Sequence, residues 1–403
     1  MYKSLPKRAV AVAAAVAASA LSLGATAAPA TAASKPTFTI AFEGPLSGGN
    51  QQLGENVEYA VELAVDQANA GTTFGNLPFT LKWLAKDDQG SATISPTDAQ
   101  ELVSNPSVIA VVGPMFSGAT KAAEPTFSAH NLATVSPSAT NPALATSGWH
   151  NFFRDVAGDN IQGPTDANYV VKTMHDTNLM VVSDASTYGA GLADAFAAQA
   201  KADGAKVTTG TFPGTSQCSD GTASPTQYPD DAATVVSAKP QLLFYGGYYC
   251  DLGLLLGALH KAGYTGKVMS GDGSESNALV SGTNPPSAAN GVYASCPCAV
   301  VGSTPTDKAF SAGFTKLAHF APAIYSPEGY DATNVIIDAM KILASGKSGT
   351  MAIDRVNLVN QLHKTSYAGI TKTVSFLSNG NINGSDIYVY RVENGKFVQL
   401  GLE

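Results

Sequence analysis

Four short segments, each at the C-terminal end of an apolar strand-like run, gather hydroxyls, aromatic rings and a carboxylate: GPMFSGAT at 113–120, VSPSAT at 135–140, FYGGYYCD at 244–251 and MSGDG at 269–273. In an open α/β sheet, ligands collect beyond the carboxyl ends of the strands, so four such exits imply one cleft around one polar ligand. Ser117 opens a helical stretch, where unpaired backbone N–H groups and the helix dipole favour an anion. Ser138 and Thr140, at the next exit, add hydroxyls and backbone groups for the same anion. Asp272, set between Gly271 and Gly273, would face the same space and could pair with a cation. Taken singly, Ser117 reads as an ordinary N-cap and Asp272 as a turn aspartate; their convergence is what argues for binding.

Catalysis finds less support. There is no G-x-S-x-G elbow, P-loop, complete G-x-G-x-x-G or H-E-x-x-H. His130, His150, His175, His260, His319 and His363 are scattered, mostly in or beside polar helical stretches, and read as solvated surface residues. Lys86-Asp87-Asp88 is explained by a strand-end turn. The expectation is a protein that is not an enzyme and carries no cofactor.

The elements that must position these residues alternate along the chain. FTIAFEG (38–44) is an apolar strand, and Val57, Ala60, Val61, Ala64, Val65 and Ala68 then recur at helical spacing. FTLKWLAKDD, VIAVVG and ATVSPSA continue as strands, with helices opening near Ser95 and Ser117. A second series follows in LMVVSD (179–184), KVTTGTF (206–212), QLLFYGG (241–247), KVMSGDG (267–273) and GVYASCP (291–297). The fold class is therefore α/β: two Rossmann-like lobes with parallel-sheet cores, joined by a three-segment hinge. Crossovers are expected near 156–159, 299–304 and 372–384. Three helices, from Pro305 to Phe320, Pro327 to Ala344 and Ile353 to Lys364, should return to the first lobe, and DIYVYRVENGKFVQL should form a hairpin around Glu393-Asn394-Gly395. The domain reading is a leader at 1–33, lobe 1 from 34–157 and 302–382, and lobe 2 from 158–301, to which family resemblance adds 383–403.

The leader rests on Lys3, Lys7 and Arg8, an apolar run from Ala9 to Leu23 and small residues around Ala30-Thr31-Ala32, with cleavage expected near Ala32. The run is shorter than a bilayer span of roughly 20 residues, and no cysteine lies nearby to carry a lipid anchor. The protein is thus expected outside the cytoplasm, periplasmic or at the cell surface. Loss of those three basic residues takes the formal charge from −8 to −11, which argues against nucleic acid as a partner. With 13% charged and 44% hydrophobic residues, the chain has the make-up of a packed globular protein rather than a disordered one.

Export also makes disulfides plausible among Cys218, Cys250, Cys296 and Cys298, which allow three connectivities. Cys218 to Cys250 is favoured, because the Gly- and Ser-rich insertion at 214–227 should lie near the strand exit that carries Cys250. Cys296-Pro297-Cys298 is then left as a pair close enough to strain a bridge. Neither paired CxxC spacing nor clustered histidine supports a zinc site.

In the order and spacing of these motifs, from IAFEGPLSG through NIQGPT (160–165) to the last helices, the chain resembles the leucine/isoleucine/valine-binding proteins. These are the solute receptors of branched-chain amino acid ABC importers and have the type I periplasmic-binding-protein fold. The resemblance implies a zwitterionic ligand, whose carboxylate would meet Ser117, Ser138 and Thr140 and whose ammonium would meet Asp272, because either charge buried unpaired costs several kcal/mol. The family carries a carboxylate at this position, usually in Gly-Pro-Glu-Gly; here it is one methylene shorter. By the same resemblance Tyr248 of GGYY and Tyr188 of STYGAGLADAF close over the ligand, Tyr330 stands on a helix leaving the hinge, and Leu53 and Phe116 line an apolar side-chain pocket. The implied partners are a small-molecule amino acid and the membrane permease subunits of an ABC importer, with the receptor itself a monomer. A sensor for an amide, urea or other small polar solute, without a transport role, shares every one of these features.

Overall fold

The structure, a computed structural model, describes residues 34–215, 217–218, 224–298, 304–345 and 351–403. The expected leader at 1–33 and most of the crossover at 299–304 lie outside the described residues.

The first sheet is built from β1 (Thr37–Gly44), β2 (Thr80–Asp87), β3 (Val108–Val112), β4 (Ala133–Ser136) and β5 (Phe152–Arg154) in the order β2-β1-β3-β4-β5, all parallel. Its interior strand β3 is VIAVV, buried along its whole length, because a parallel strand covered by helices on both faces has no solvent side. The second sheet contains β6 (Asn178–Ser183), β7 (Lys206–Thr211), β8 (Leu242–Gly246), β9 (Lys267–Ser270) and β10 (Tyr293–Cys296), mutually parallel. Again the interior strand β8, LLFYG, is wholly buried, whereas the edge strand β7, KVTTGT, is exposed and polar, as an unpaired edge requires.

A small ladder of β11 (Ser366–Ala368) and β12 (Thr373–Ser375) precedes the C-terminal hairpin of β13 (Tyr388–Glu393) and β14 (Lys396–Leu402). That hairpin joins the second sheet antiparallel to β10, giving the order β14-β13-β10-β9-β8-β6-β7. Its two-residue turn places Asn394 and Gly395 at φ 52° and 79°, the left-handed pair that suits strand twist. The chain thus passes between the two sheets three times: after β5, after β10 and after β12.

The helix Ser326–Ala344 is buried over most of its length and packs on the helix Gln51–Asn69 and on β3 and β4. Phe310 and Phe314, on the helix Pro305–Ala318, join Ala60, Leu63 and Ala64 in a satellite apolar cluster. The late helices therefore complete the first lobe. At the exit of β3, Gly113 has φ +114° and any side chain there would run into the Glu43 carbonyl, so this turn needs glycine.

Three details differ from the sequence reading. The strand β5 was not anticipated. Cys296 and Cys298 are bonded to each other as well as Cys218 to Cys250; their Cα atoms are 5.0 Å apart, inside the ordinary range for a bridge. His150 is exposed and His363 half-buried, but the two are not scattered: their rings stack at 4.2 Å, and His363 Nε2 lies 2.9 Å from the His150 carbonyl. No helix among the described residues is long and apolar enough to cross a membrane.

Candidate functional site

The carboxyl ends of both sheets face one another, and the polar residues at their exits meet there. On the first-sheet side, Phe116 is the N-cap of the helix Ser117–Ala129 and makes no side-chain capping bond, leaving the first-turn N–H groups without partners inside the helix. Ser117 is buried, and its hydroxyl accepts from the Asn141 N–H at 3.2 Å. Ser138 donates to the Met115 carbonyl at 2.8 Å, and Ser136 to the Pro114 carbonyl at 2.7 Å. These bonds staple the exit of β4 to the exit of β3. Thr140 is fully buried; its carbonyl accepts from the Asp159 N–H at 2.9 Å and its hydroxyl faces the Asp159 carboxyl.

On the second-sheet side Asp272 is 1% exposed, in the turn after β9. Tyr188 donates to one of its oxygens at 2.9 Å, while the Tyr188 hydroxyl itself accepts from the Gly273 N–H. Tyr325 donates to the other oxygen. Burial raises the Asp272 carboxyl above the usual aspartate range, opposed by the hydrogen bonds of Tyr325, Tyr188 and Gln162. Two more buried carboxyls stand within electrostatic reach. Asp159 is pushed up to about 8, first by burial and then by Asp272, against the pull of Thr140 and Arg154. Asp166 is raised well above its ordinary value by burial, with Asp272 and Asp159 adding to the shift and a hydrogen bond from Ser295 opposing it.

Arg154 offers a buried countercharge. It donates to the Asn381 side chain at 2.8 Å and to the carbonyls of Ala139 and Asn141 at 3.0 Å each. Burial lowers it to about 10, with Asp159 acting in the other direction.

Aromatic rings seal the two sides together. Phe116 from the first lobe stacks on Tyr248 from the second at 4.1 Å, and Tyr248 leans on Tyr188 at 5.1 Å. Asn141 reaches across to donate to the Thr187 carbonyl at 2.7 Å. The lobes are thus in contact around the candidate site.

Of the residues singled out from sequence, Ser117, Ser138, Thr140, Tyr188, Tyr248, Asp272 and Phe116 line this region. Leu53 is fully buried in the apolar cluster that also holds Phe42, Met115 and Phe116. Tyr330 is elsewhere: its hydroxyl donates to Gln67 and its ring packs on Phe310 at 5.0 Å. The helix Ser326–Ala344 turns that face toward its neighbours in the first lobe, and Tyr325, at its N-cap, is the tyrosine that enters the cleft. Tyr325 does so from a left-handed backbone, φ 66°, costly for a bulky residue and characteristic of functional positions. Sequence reasoning also passed over Asp159, Gln162 and Arg154; the segment NIQGPT contained Gln162 and was the available signal. Among the described residues no group of His, Cys, Asp and Glu is arranged to hold a metal ion.

A family profile described as periplasmic binding protein matches residues 37–396. The chain is 30% identical over 236 residues to Leu/Ile/Val-binding protein homolog 3 of Brucella melitensis, a match that spans 59% of this chain and 61% of that relative. It is 26% identical over 362 residues to the amino acid binding protein of Pseudomonas aeruginosa, covering 90% and 92% of the two chains. Among solved structures, the substrate-binding protein LivJ of a Streptococcus pneumoniae branched-chain amino acid transporter, crystallised with isoleucine, superposes with a TM-score of 0.77 at 23% identity, over 90% of this chain and 99% of that one. That superposition bears on the fold alone.

Proposed function

The chain belongs to the periplasmic binding protein family, a family of binding proteins rather than enzymes, and on that premise we propose that it is the exported receptor of an ABC importer for a branched-chain or similar apolar amino acid. The observation that carries this reading is the buried Asp272 carboxyl, held between two tyrosine hydroxyls and set across the cleft from the helix that begins at Ser117. Such a pairing suits a zwitterion. The ammonium meets Asp272, and the carboxylate meets the N–H groups at Ser117 and the hydroxyls of Ser117 and Thr140.

Phe116 and Leu53 supply apolar surface for an aliphatic side chain, in keeping with the ligands named for the relatives. Lobe 1 comprises 34–157 and 302–382, and lobe 2 comprises 158–301 and 383–403. The leader at 1–33 carries the receptor out of the cytoplasm, and there, outside, it works as a monomer. A ligand that touches both lobes favours the closed arrangement, and closure is what the permease recognises.

Calorimetric titration with leucine, isoleucine, valine, alanine, glutamate, lysine, an amide and urea tests the assignment. Leucine, isoleucine or valine is expected to bind most tightly, since each methylene in a fitted pocket adds roughly 1 to 3 kcal/mol. Preference for a charged amino acid, an amide or urea overturns it.

A further inference from the structure

Asn50 occupies the N-cap of the helix Gln51–Asn69, where an asparagine ordinarily turns its side-chain oxygen onto the first-turn N–H groups. Here the side chain makes no capping bond. Both ends of its amide go instead to the opposite lobe: Nδ2 donates to the Cys218 carbonyl at 2.6 Å, and Oδ1 accepts from the Cys250 N–H at 3.4 Å. Those two residues are the halves of one disulfide. Beside them the Gln52 N–H donates to the Tyr249 hydroxyl at 3.4 Å. Gly49 lies so close to the bridge that a Cβ on it would stand 2.6 Å from Cys250 Sγ and 2.8 Å from Cys218 Cα.

The disulfide explains why one amide can satisfy both contacts. Cys218 and Cys250 are 32 residues apart, and the bond holds their Cα atoms at 5.4 Å. A backbone acceptor and a backbone donor from distant parts of the second lobe are thereby kept at a spacing that a planar amide can span. Asn50 is 3% exposed with the lobes in contact, and separation of the lobes would return all of these polar groups to water without a buried loss.

We propose that Asn50 and the Cys218–Cys250 bridge form a latch between the lobes, so that ligand affinity is set partly by a contact outside the ligand pocket. Each closed-state contact shifts the open–closed balance by its own differential energy, and ligand affinity follows the closed fraction. The latch rests on the receptor reading above, and its test separates the two.

Two variants probe it with leucine as ligand. Asn50→Ser keeps a residue that caps helices well and lacks the amide; Gly49→Ala puts a methyl group against the disulfide. Asn50→Ser should bind leucine about five- to tenfold more weakly, the loss appearing in the off-rate of a variant that still folds. Gly49→Ala should weaken binding further and leave the radius of gyration at saturating leucine larger than that of the wild type. Wild-type affinity and off-rate in both Asn50→Ser and Gly49→Ala, with a wild type that binds and closes, overturn the latch. A wild type that does not bind leucine overturns the ligand reading only. The latch is then read in the ligand-free proteins by energy transfer between one dye on each lobe: longer separations in the variants support it and unchanged separations overturn it.

Discussion

The two walls of the cleft are made from different chemistry. The first lobe meets the anion with neutral groups, the hydroxyls of Ser117, Ser138 and Thr140 and the backbone N–H groups at the head of a helix, while its buried Arg154 is engaged by the Asn381 side chain and the carbonyls of Ala139 and Asn141. The second presents carboxyls, Asp272 with Asp159 and Asp166 behind it, all buried and all raised above the ordinary aspartate range. Fixed dipoles hold an anion in the same way at every physiological pH. Desolvated acids hold a cation only when ionised, and burial opposes that ionisation. One wall is therefore insensitive to protons and tolerant of single losses, while the other is proton-sensitive and concentrated in one residue.

The comparison breaks most easily at Asp272. Asp272→Ala should weaken leucine binding by roughly 2 to 5 kcal/mol, the usual cost of leaving a buried charge without its partner. Calorimetry that finds wild-type affinity in a folded variant would remove Asp272 from the site.

Protons provide the next test. In the fold Asp159 reaches about 8 from 3.8, Asp184 about 7 from 3.8, Glu124 about 7 from 4.5 and Glu275 about 8 from 4.5, each mainly through burial. Because each folded value is raised, their contribution to stability is complete below about pH 4 and is lost as pH climbs to about 8. The melting temperature of the ligand-free protein should fall across that window, whereas leucine affinity should rise, since the ammonium needs an ionised acid. Parallel pH trends in the two quantities would contradict the assignment of the acidic wall to the ammonium.

A smaller effect is expected at Tyr325. Tyr325→Phe deletes the hydroxyl donated across the cleft to Asp272 and should weaken leucine binding by about 1.5 to 3 kcal/mol, the range for a hydrogen bond to a charged group. Tyr330→Phe, away from the cleft, should leave affinity untouched; if the two variants reversed their effects in the same titration, the roles assigned to the tyrosines would be exchanged.

Least is expected from the neutral wall. Ser117→Ala should cost about 1 kcal/mol or less, because the backbone donors at the helix start remain. A loss as large as that of Asp272→Ala would show that the two walls are not built on different principles.

The strands and helices were legible because their apolar periods are long: VIAVV and LLFYG read as buried strands, and the spacing from Val57 to Ala68 reads as a helix face. The strand Phe152–Arg154 was not, being three residues long with no period to detect. The exits carrying Ser117, Thr140, Tyr248 and Asp272 could be found because each ends a strand. Tyr325 could not, since its reach depends on a left-handed backbone that nothing in Ala-Ile-Tyr-Ser-Pro announces. Arg154 illustrates the same limit. An arginine reads locally as a surface residue, but its partner Asn381 arrives 227 residues later, and only the third passage between the sheets makes burial affordable.

The helix Ser326–Ala344 also constrains the order in which the chain can mature. The last strand of the first sheet is complete at Arg154, yet the helix that covers β3 and β4 and packs on the helix Gln51–Asn69 emerges from the ribosome only after the whole second sheet except its C-terminal hairpin. Until then the first sheet has an uncovered apolar face and cannot close its core. A chain cut before Ser326 should accordingly yield an aggregation-prone first half rather than a stable lobe.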